Sequence, residues 1–301
     1  MGIYLHHGKN SISTDTYHDN DHVSYVVQGQ ISEILQNNDE LSMLLVTLGC
    51  SWTRGVGVAY KKGMNKEEYK DKNDDDILCD ELSFRGLLTK KWKCTNLNFS
   101  QMGSSNDRQF RRATTYFKKK PREKVIVLWG ITSVFRHEVW LTKNHEGKAG
   151  YQNVLYGHGM NREKNKNERK FDVDNHLEWH FDKNQKIKEL SHKMRHWNLF
   201  FEGLGIENYW FDTFNHHDYH IPVDRMLFND RKYRDLMSIL CEDLEFENYD
   251  PDEYHVSQFN KDDSRRIRFL EKKELLNPYS YHPTREAHVM MANLFDEVIK
   301  I

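Results

Sequence analysis

The chain has 301 residues, of which 38% are hydrophobic and 30% charged, and its formal net charge is −2. This length is enough to bury a substantial core, although the apolar residues must be concentrated in a few elements with polar connections between them. The 44 basic and 46 acidic residues are spread along the chain, which argues against a nucleic-acid partner. We expect one domain over residues 1–301, with long polar insertions.

Cysteine usage and hydropathy indicate a compartment. The four cysteines are far apart and form no Cys-x-x-Cys pair, which argues against a zinc ribbon and against a disulfide framework. The first residues lack the apolar run of a signal peptide, and no stretch approaches the ~20 apolar residues that span a bilayer. Abundant lysine and asparagine with scarce proline are typical of an AT-rich genome, such as that of a bacteriophage. We therefore expect a soluble protein in the cytoplasm of a bacterial host, with no membrane partner and with virion proteins as candidate partners.

The first predicted strand leads directly to a serine. Residues 1–20 are polar and are expected to form an arm, and apolar spacing over 23–35 predicts a helix. Residues 44–48 then predict a short buried strand that runs into Gly49-Cys50-Ser51. Ligands of open α/β sheets collect beyond the carboxyl ends of the strands, so Ser51 occupies a favourable position for a site. The alternative is a serine that only caps the next helix.

A second strand and turn follow a charged tract. Residues 60–76 are almost wholly charged or amide residues, which predicts a solvated loop. Residues 78–88 predict a helix, 92–99 a second strand, and 106–117 a further helix. Gly103 lies just before that helix, where backbone N–H groups favour developing negative charge. An ordinary strand-to-helix turn is the alternative at this position.

The clearest strand of the chain precedes its longest polar stretch. Residues 124–130 predict a buried strand that again ends in glycine, and 141–184 predict a long insertion that is a lid, a binding loop or a disordered segment. Residues 187–201 predict a helix and 206–214 another strand. Short helical stretches alternate with charged connections over 225–275, and these have no assigned role.

Two loops contain candidate histidines. Residues 215–220 include three histidines and an aspartate, but their spacing matches no common metal-ligand pattern, so a polar or substrate-facing loop is favoured over a metal site. Near the end of the chain, Thr284 is a reasonable N-cap for a helix that continues to residue 299. His282 therefore lies in the loop before the last helix, from which it can reach the carboxyl edge of the sheet.

Four short motifs occur in chain order: Gly49-Cys50-Ser51-Trp52-Thr53, Met102-Gly103-Ser104-Ser105-Asn106, Gly130-Ile131-Thr132 and Tyr279-Ser280-Tyr281-His282-Pro283. Together they resemble the SGNH hydrolases, the GDSL-type esterase and lipase superfamily. That family has Gly-Asp-Ser-x-Ser/Thr after its first strand, a glycine after the second, Gly-x-Asn after the third, and Asp-x-x-His-Pro before the last helix. The order and spacing of the motifs match from about residue 44 to residue 298.

The resemblance implies a flavodoxin-like three-layer α/β/α sandwich with a central parallel sheet, and it implies hydrolysis of carboxylic esters. Ser51 would be the nucleophile and His282 the base, with an oxyanion hole formed by Ser51, Gly103 and Thr132. Trp52, Asn106 and Arg136 would face the substrate, an acyl ester such as an O-acetylated glycan. The resemblance implies neither a metal nor an organic cofactor.

Two departures from the family pattern concern the catalytic groups. Thr132 stands where the family has the asparagine of the oxyanion hole, with Ser133 as the alternative if the turn is shifted. Tyr279 stands where the family has the aspartate that orients the histidine, unless Asp250 or Asp252 supplies the acid from elsewhere. Two hypotheses follow. The chain is a serine esterase with a Ser51–His282 dyad or a displaced acid, or it is a weakened SGNH-fold binding or structural module, such as a virion component.

Overall fold

The computed structural model describes residues 43–72, 75–118, 121, 123–141, 150–155, 182–214, 217–220, 222–231, 234–242 and 265–301. The predicted arm at 1–20 and the predicted helix at 23–35 lie outside the described residues. So does most of the predicted insertion at 141–184. No helix in these ranges is long and apolar enough to cross a membrane.

The secondary structure alternates between strands and helices. The strands are β1 (Met43–Leu48), β2 (Thr95–Asn98), β3 (Lys124–Ile131), β4 (Arg136–Leu141), β5 (Gly150–Leu155) and β6 (Glu207–Asp212). The helices are α1 (Ser51–Arg54), α2 (Lys66–Lys70), α3 (Asp76–Leu82), α4 (Phe84–Trp92), α5 (Asn106–Tyr116), α6 (Lys183–Leu204), α7 (Leu236–Glu242), α8 (Arg265–Lys272) and α9 (Arg285–Val298).

A four-stranded parallel sheet forms the centre of the molecule. Its strand order is β2-β1-β3-β6, and Val46 of β1 lies opposite Leu97 of β2 and Val127 of β3. The inner strands β1 and β3 are nearly continuous apolar runs because both of their faces are buried. This arrangement confirms the predicted α/β class.

Two hydrophobic clusters cover the two faces of this sheet, and β3 contributes alternate residues to each. Ile126 and Leu128 belong to the cluster that includes residues of α4, α7 and α9. Val125, Val127 and Trp129 belong to the cluster that includes residues of α5 and α6. Helices therefore pack on both faces, and the carboxyl ends of the strands are left to the connecting turns.

The charged tract at 60–76 differs from its prediction as a solvated loop. It contains α2, which begins with a capping box between Asn65 and Glu68. The side chain of Tyr69 in this helix is only 2% exposed. The sequence predicted a solvated loop because the tract is rich in charged residues, and one buried aromatic residue adds little to its hydrophobic pattern.

Two other boundaries also differ from the sequence pattern. The predicted helix at 78–88 is two helices, because Ser83 has an extended backbone and serves as the N-cap of α4. The predicted strand at 92–99 begins only at Thr95, since α4 continues to Trp92 and ends with Lys93 in the left-handed conformation.

Two paired strands that the pattern did not indicate lie just before and within the beginning of the predicted insertion. β4 and β5 pair in antiparallel fashion, with Arg136 opposite Leu155, and form a separate two-stranded sheet. β4 starts five residues after the end of β3, so Arg136 lies close in the chain to the turn that follows β3.

Glycines at the ends of β1 and β3 make room for one side chain. A Cβ atom added at Gly49 or at Gly130 would collide with the side chain of Thr53, which is fully buried. The turn that carries Ser51 therefore packs directly against the ends of both strands.

Replacing Gly130 with alanine should lower the free energy of unfolding by about 1–3 kcal/mol, because the added methyl group overpacks the space that Thr53 fills. Urea denaturation measures this change. Gly203→Ala is the matched control, since a Cβ there meets no atom within 4 Å, and it should be neutral or stabilising by up to about 1 kcal/mol. Equal destabilisation by both substitutions would contradict the proposed packing.

Candidate active site

Ser51 lies at the carboxyl end of β1, as the first residue of the short helix α1. Cys50 is the N-cap residue, and its carbonyl accepts a hydrogen bond from Arg54 N at 3.0 Å. Gly55 ends the helix in the left-handed conformation, with φ 98°. These local bonds fix the turn, and Ser51 is 4% exposed within it.

The loop before α9 carries His282 and is held by the buried side chain of Asn277. Asn277 Nδ2 donates to the carbonyl of His282 at 3.0 Å, and Asn277 Oδ1 accepts from Ser280 N at 2.9 Å. The two ends of the loop also pair through an isolated bridge between Leu276 and Pro283. Gly57, with φ 108°, lies against this loop, and a Cβ there would collide with the Pro283 carbonyl. The backbone at Gly57, just after α1, therefore supports the loop that carries His282.

These two elements bring the predicted nucleophile and base together. His282 Nε2 lies 2.7 Å from Ser51 Oγ, within the range of about 2.6–3.2 Å that proton transfer requires. His282 Nδ1 lies 2.8 Å from Ser280 Oγ, on the other side of the ring. The residues are 231 positions apart in the chain, so this contact depends on the whole sheet.

The surrounding hydrogen bonds assign the proton on His282. Ser280 Oγ lies 3.0 Å from Asn277 Oδ1, which can only accept, so the serine hydroxyl donates there. Tyr69 OH accepts from Asn277 Nδ2 at 3.2 Å and can then donate to Ser280 Oγ at 2.8 Å. Ser280 Oγ thus accepts from Nδ1–H of His282. This tautomer leaves the lone pair of Nε2 directed at Ser51.

Tyr279, which aligns with the family's aspartate, does not orient His282. Its hydroxyl donates to the carbonyl of Met64 at 2.7 Å, and its ring packs against Tyr60 and Tyr69. In the described part of the chain no carboxylate contacts His282, and Asp250 and Asp252 lie outside that part. The neutral hydroxyl of Ser280 therefore occupies the position beside Nδ1.

The turns after β1 and β2 place two candidate oxyanion donors at the same edge of the sheet. Gln101 N donates to the carbonyl of Gly49 at 3.1 Å, which joins the two turns. Within the described ranges, the N–H groups of Ser51 and Gly103 donate to no acceptor. Gly103 is exposed, has φ 66°, and has open space where a side chain would lie. Both N–H groups are therefore available to a bound ligand.

Thr132 and Asn106 have contacts that the sequence did not indicate. Asn106 was expected to face the substrate, but it is buried and its side chain clamps the backbone of Thr132. Its Nδ2 donates to the Thr132 carbonyl at 2.8 Å, and its Oδ1 accepts from Thr132 N at 3.0 Å. The backbone N–H of Thr132 is therefore occupied. Its Oγ1 is buried and has no partner among the described residues, which leaves the hydroxyl as the only oxyanion donor that Thr132 can offer.

The other two predicted substrate-facing residues differ in their surroundings. Trp52 is 4% exposed and packs edge-on against Phe214, with ring centroids 5.6 Å apart, so it belongs to the core. Arg136 is half-buried, and its guanidinium lies 5.3 Å from the centre of the Phe214 ring. Arg136 is also close enough to His282 to affect its protonation.

The surroundings of His282 favour its neutral form. Burial, and secondly the positive charge of Arg136, lower the pKa of His282 from 6.5 to about 4. The imidazole is therefore neutral at pH 7 and can accept a proton from Ser51.

The loop after β6 contains a buried cluster rather than a described metal centre. Asp212 Oδ1 lies 3.0 Å from His217 Nδ1 and accepts from Tyr219 OH at 2.6 Å. His216 lies outside the described residues, and in the remainder no three metal-binding side chains are grouped to hold an ion. These contacts link the end of β6 to the segment that follows it.

Three residues of the site were not singled out by the sequence analysis: Ser280, Asn277 and Tyr69. Asn-Pro at 277–278 is a turn signal that could have indicated the loop, and Ser280 lies inside the quoted motif. No pattern in the charged tract around Tyr69 indicates that this residue belongs to the site. Comparison of the chain with protein-family models and with curated proteins gives no match.

Replacing Arg136 with glutamine should raise the pKa of His282 above about 4, because a nearby positive charge no longer opposes the imidazolium. The value should remain below 6.5, since burial persists. Titration of the His282 ring proton by NMR, assigned with His282→Gln, measures it. Arg285→Gln removes an exposed cation three residues away and should leave the pKa nearly unchanged. An unchanged value in Arg136→Gln would exclude the electrostatic coupling.

Proposed function

We propose that this chain is a serine esterase in which Ser51 attacks the ester carbonyl and His282 is the general base. The observation that carries the proposal is the 2.7 Å separation between His282 Nε2 and Ser51 Oγ, combined with the tautomer that leaves Nε2 unprotonated. A serine hydroxyl is a weak nucleophile unless a base removes its proton, and His282 at this distance would be that base.

The architecture supports membership of the SGNH superfamily. The sheet order β2-β1-β3-β6 agrees with the first four strands of a flavodoxin-like sheet, and helices pack on both faces as in a three-layer sandwich. Ser51 follows the first strand and His282 precedes the last helix, which is the order that the sequence motifs suggested.

The reaction would proceed in two steps. Ser51 Oγ bonds to the ester carbon while its proton moves to His282 Nε2, and collapse of the tetrahedral intermediate transfers that proton to the departing alcohol. Water then attacks the acyl-enzyme and gives a proton to His282, and when the second tetrahedral intermediate collapses, Ser51 Oγ leaves the acid and takes that proton back from Nε2. The N–H groups of Ser51 and Gly103, with the hydroxyl of Thr132, are the proposed donors to the oxyanion.

The substrate that we propose is a small acyl ester such as an O-acetyl group on a glycan. This choice rests on the family resemblance. A bacteriophage origin, and a location in the cytoplasm of a bacterial host or in the virion, are proposals of the same standing. None of the proposed steps requires a cofactor.

A fluorophosphonate probe should label the native chain at Ser51, because an activated serine displaces fluoride from phosphorus. Ser51→Ala should abolish labelling, and His282→Ala should reduce its rate by about a hundredfold or more, since the general base is lost. Mass spectrometry of the labelled peptide locates the site. Ser104→Ala is the control, because Ser104 is buried in the turn after β2 and, among the described residues, its hydroxyl donates only to the Ser105 carbonyl. Labelling that survives in Ser51→Ala would refute the assignment.

Ser280→Ala should lower kcat/KM about tenfold to a hundredfold, because Nδ1–H of His282 loses its acceptor and the ring can adopt the other tautomer. The reduction should appear in kcat with little change in KM, as expected for a positioning residue. Ester hydrolysis measured across pH values checks it.

Tyr69→Phe is the matched control for that experiment. It removes the hydroxyl 2.8 Å from Ser280 Oγ but keeps the aromatic ring and leaves the bond between Ser280 and His282 intact. Its effect on kcat should be clearly smaller than that of Ser280→Ala. Equal effects would mean that loop stability, rather than the bond to His282, determines the rate.

One observation favours the second hypothesis, a binding or structural module with the same fold. In the described residues the partner of His282 Nδ1 is a neutral hydroxyl, which stabilises an imidazolium less than a carboxylate does. A folded native chain that the fluorophosphonate does not label would favour this function.

A further inference from the structure

Arg136 is a half-buried cation without a counter-ion in the described structure. Its Nη1 is shielded from solvent and has no hydrogen-bond partner. Its neighbours are the side chain of Cys50 and the ring of Phe214, and among the described residues no carboxylate forms an ion pair with it. A guanidinium remains charged in proteins, so Arg136 cannot lose its positive charge by giving up a proton.

Nearby cations are paired, which makes Arg136 different from them. Arg136 lines a crevice between α5 and α6 in which Lys193 pairs with Asp107 at 2.8 Å and Lys186 pairs with Glu189 at 3.0 Å. Nη1 of Arg136 has no such partner among the described residues, so this guanidinium can still donate a charge-assisted hydrogen bond to an anion.

The location of Arg136 relates this unpaired charge to the proposed reaction. It is the first residue of β4, at the carboxyl end of the sheet where the turns of Ser51 and Thr132 also lie. Its side chain approaches Cys50, the residue directly before Ser51. An anion that reached Arg136 would therefore be close to the ester bond that Ser51 attacks.

We propose that Arg136 binds a carboxylate carried by the ester substrate, so that the preferred substrates are anionic esters. This inference rests on the proposed esterase function and specifies its substrate class. The planar guanidinium offers two parallel N–H groups that match a carboxylate. Binding of the anion would also screen Arg136 from His282 and so raise the pKa of the base in the complex.

The test uses two pairs of esters, and in each pair the neutral member has a methyl ketone in place of the carboxylate. In acetoxyacetate and acetoxyacetone this group lies in the alcohol part of the ester. In monoethyl succinate and ethyl levulinate it lies in the acyl part. Affinities are measured by NMR titration of Ser51→Ala, which keeps Arg136 but cannot form an acyl-enzyme. This binding measurement is therefore independent of catalysis.

We expect the anionic member of at least one pair to bind about tenfold or more tightly than its neutral partner, as charge-assisted hydrogen bonds would provide. The first pair reports a carboxylate in the alcohol part and the second a carboxylate in the acyl part. Arg136→Gln, added to Ser51→Ala, should abolish the preference, and Arg136→Lys should retain part of it. Lys188→Gln, which removes the same charge from an exposed position on α6, should not affect it.

Equal affinities within both pairs would overturn the inference, as would an anion preference that persists in a folded Arg136→Gln variant. If Arg136→Gln does not fold, a preference in Arg136→Lys as strong as with arginine would also count against a bidentate site. Failure of the esterase proposal has a different signature, because the fluorophosphonate would then leave Ser51 unlabelled whatever the binding preference.

Discussion

The candidate site depends on the hydrogen bonds of one buried amide, that of Asn277. Its Nδ2 holds the carbonyl of His282, and its Oδ1 holds both the backbone N–H and the hydroxyl of Ser280. Without this amide the loop would leave buried polar groups unpaired, at a cost of about 1–3 kcal/mol for each group. The same bonds orient the hydroxyl of Ser280 so that it accepts from His282. One side chain therefore sets both the loop conformation and the tautomer of His282.

A hydroxyl beside the histidine gives this dyad a different electrostatic balance from that of a triad with a carboxylate. A carboxylate would raise the pKa of the imidazole, whereas here burial and Arg136 lower it to about 4. His282 is consequently always ready to accept a proton at neutral pH, but its imidazolium is poorly stabilised. The Ser280 hydroxyl supplies orientation without charge, so any further stabilisation of the imidazolium must come from another group.

The sequence predicted the parts of this structure that depend on long apolar runs. The strands near 44–48, 124–130 and 206–214 and the helices near 106–117, 187–201 and 285–299 all have counterparts, because burial on both faces or on one helical face leaves a periodic signal. The motif resemblance also indicated the contact between Ser51 and His282. The contribution of Tyr69 could not be predicted, since a single aromatic residue in a charged tract has no periodicity. The hydrogen bonds between Asn106 and Thr132 were not predicted, because the sequence does not distinguish an asparagine that bonds to the backbone from one that faces a ligand.

Cys50 and Arg136 together are the basis of the proposed preference for an anionic substrate. In the family that the motifs resemble, an aspartate directly precedes the nucleophile, and an acid at that position would neutralise a neighbouring arginine. Cys50 is fully buried and is not a carboxylate, so among the described residues no carboxylate offsets the charge of Arg136, which opposes protonation of His282. An anionic substrate would remove that opposition only while it is bound. The stabilisation of the imidazolium that Ser280 cannot provide would then come from the substrate itself, which couples recognition of the carboxylate to the strength of the base.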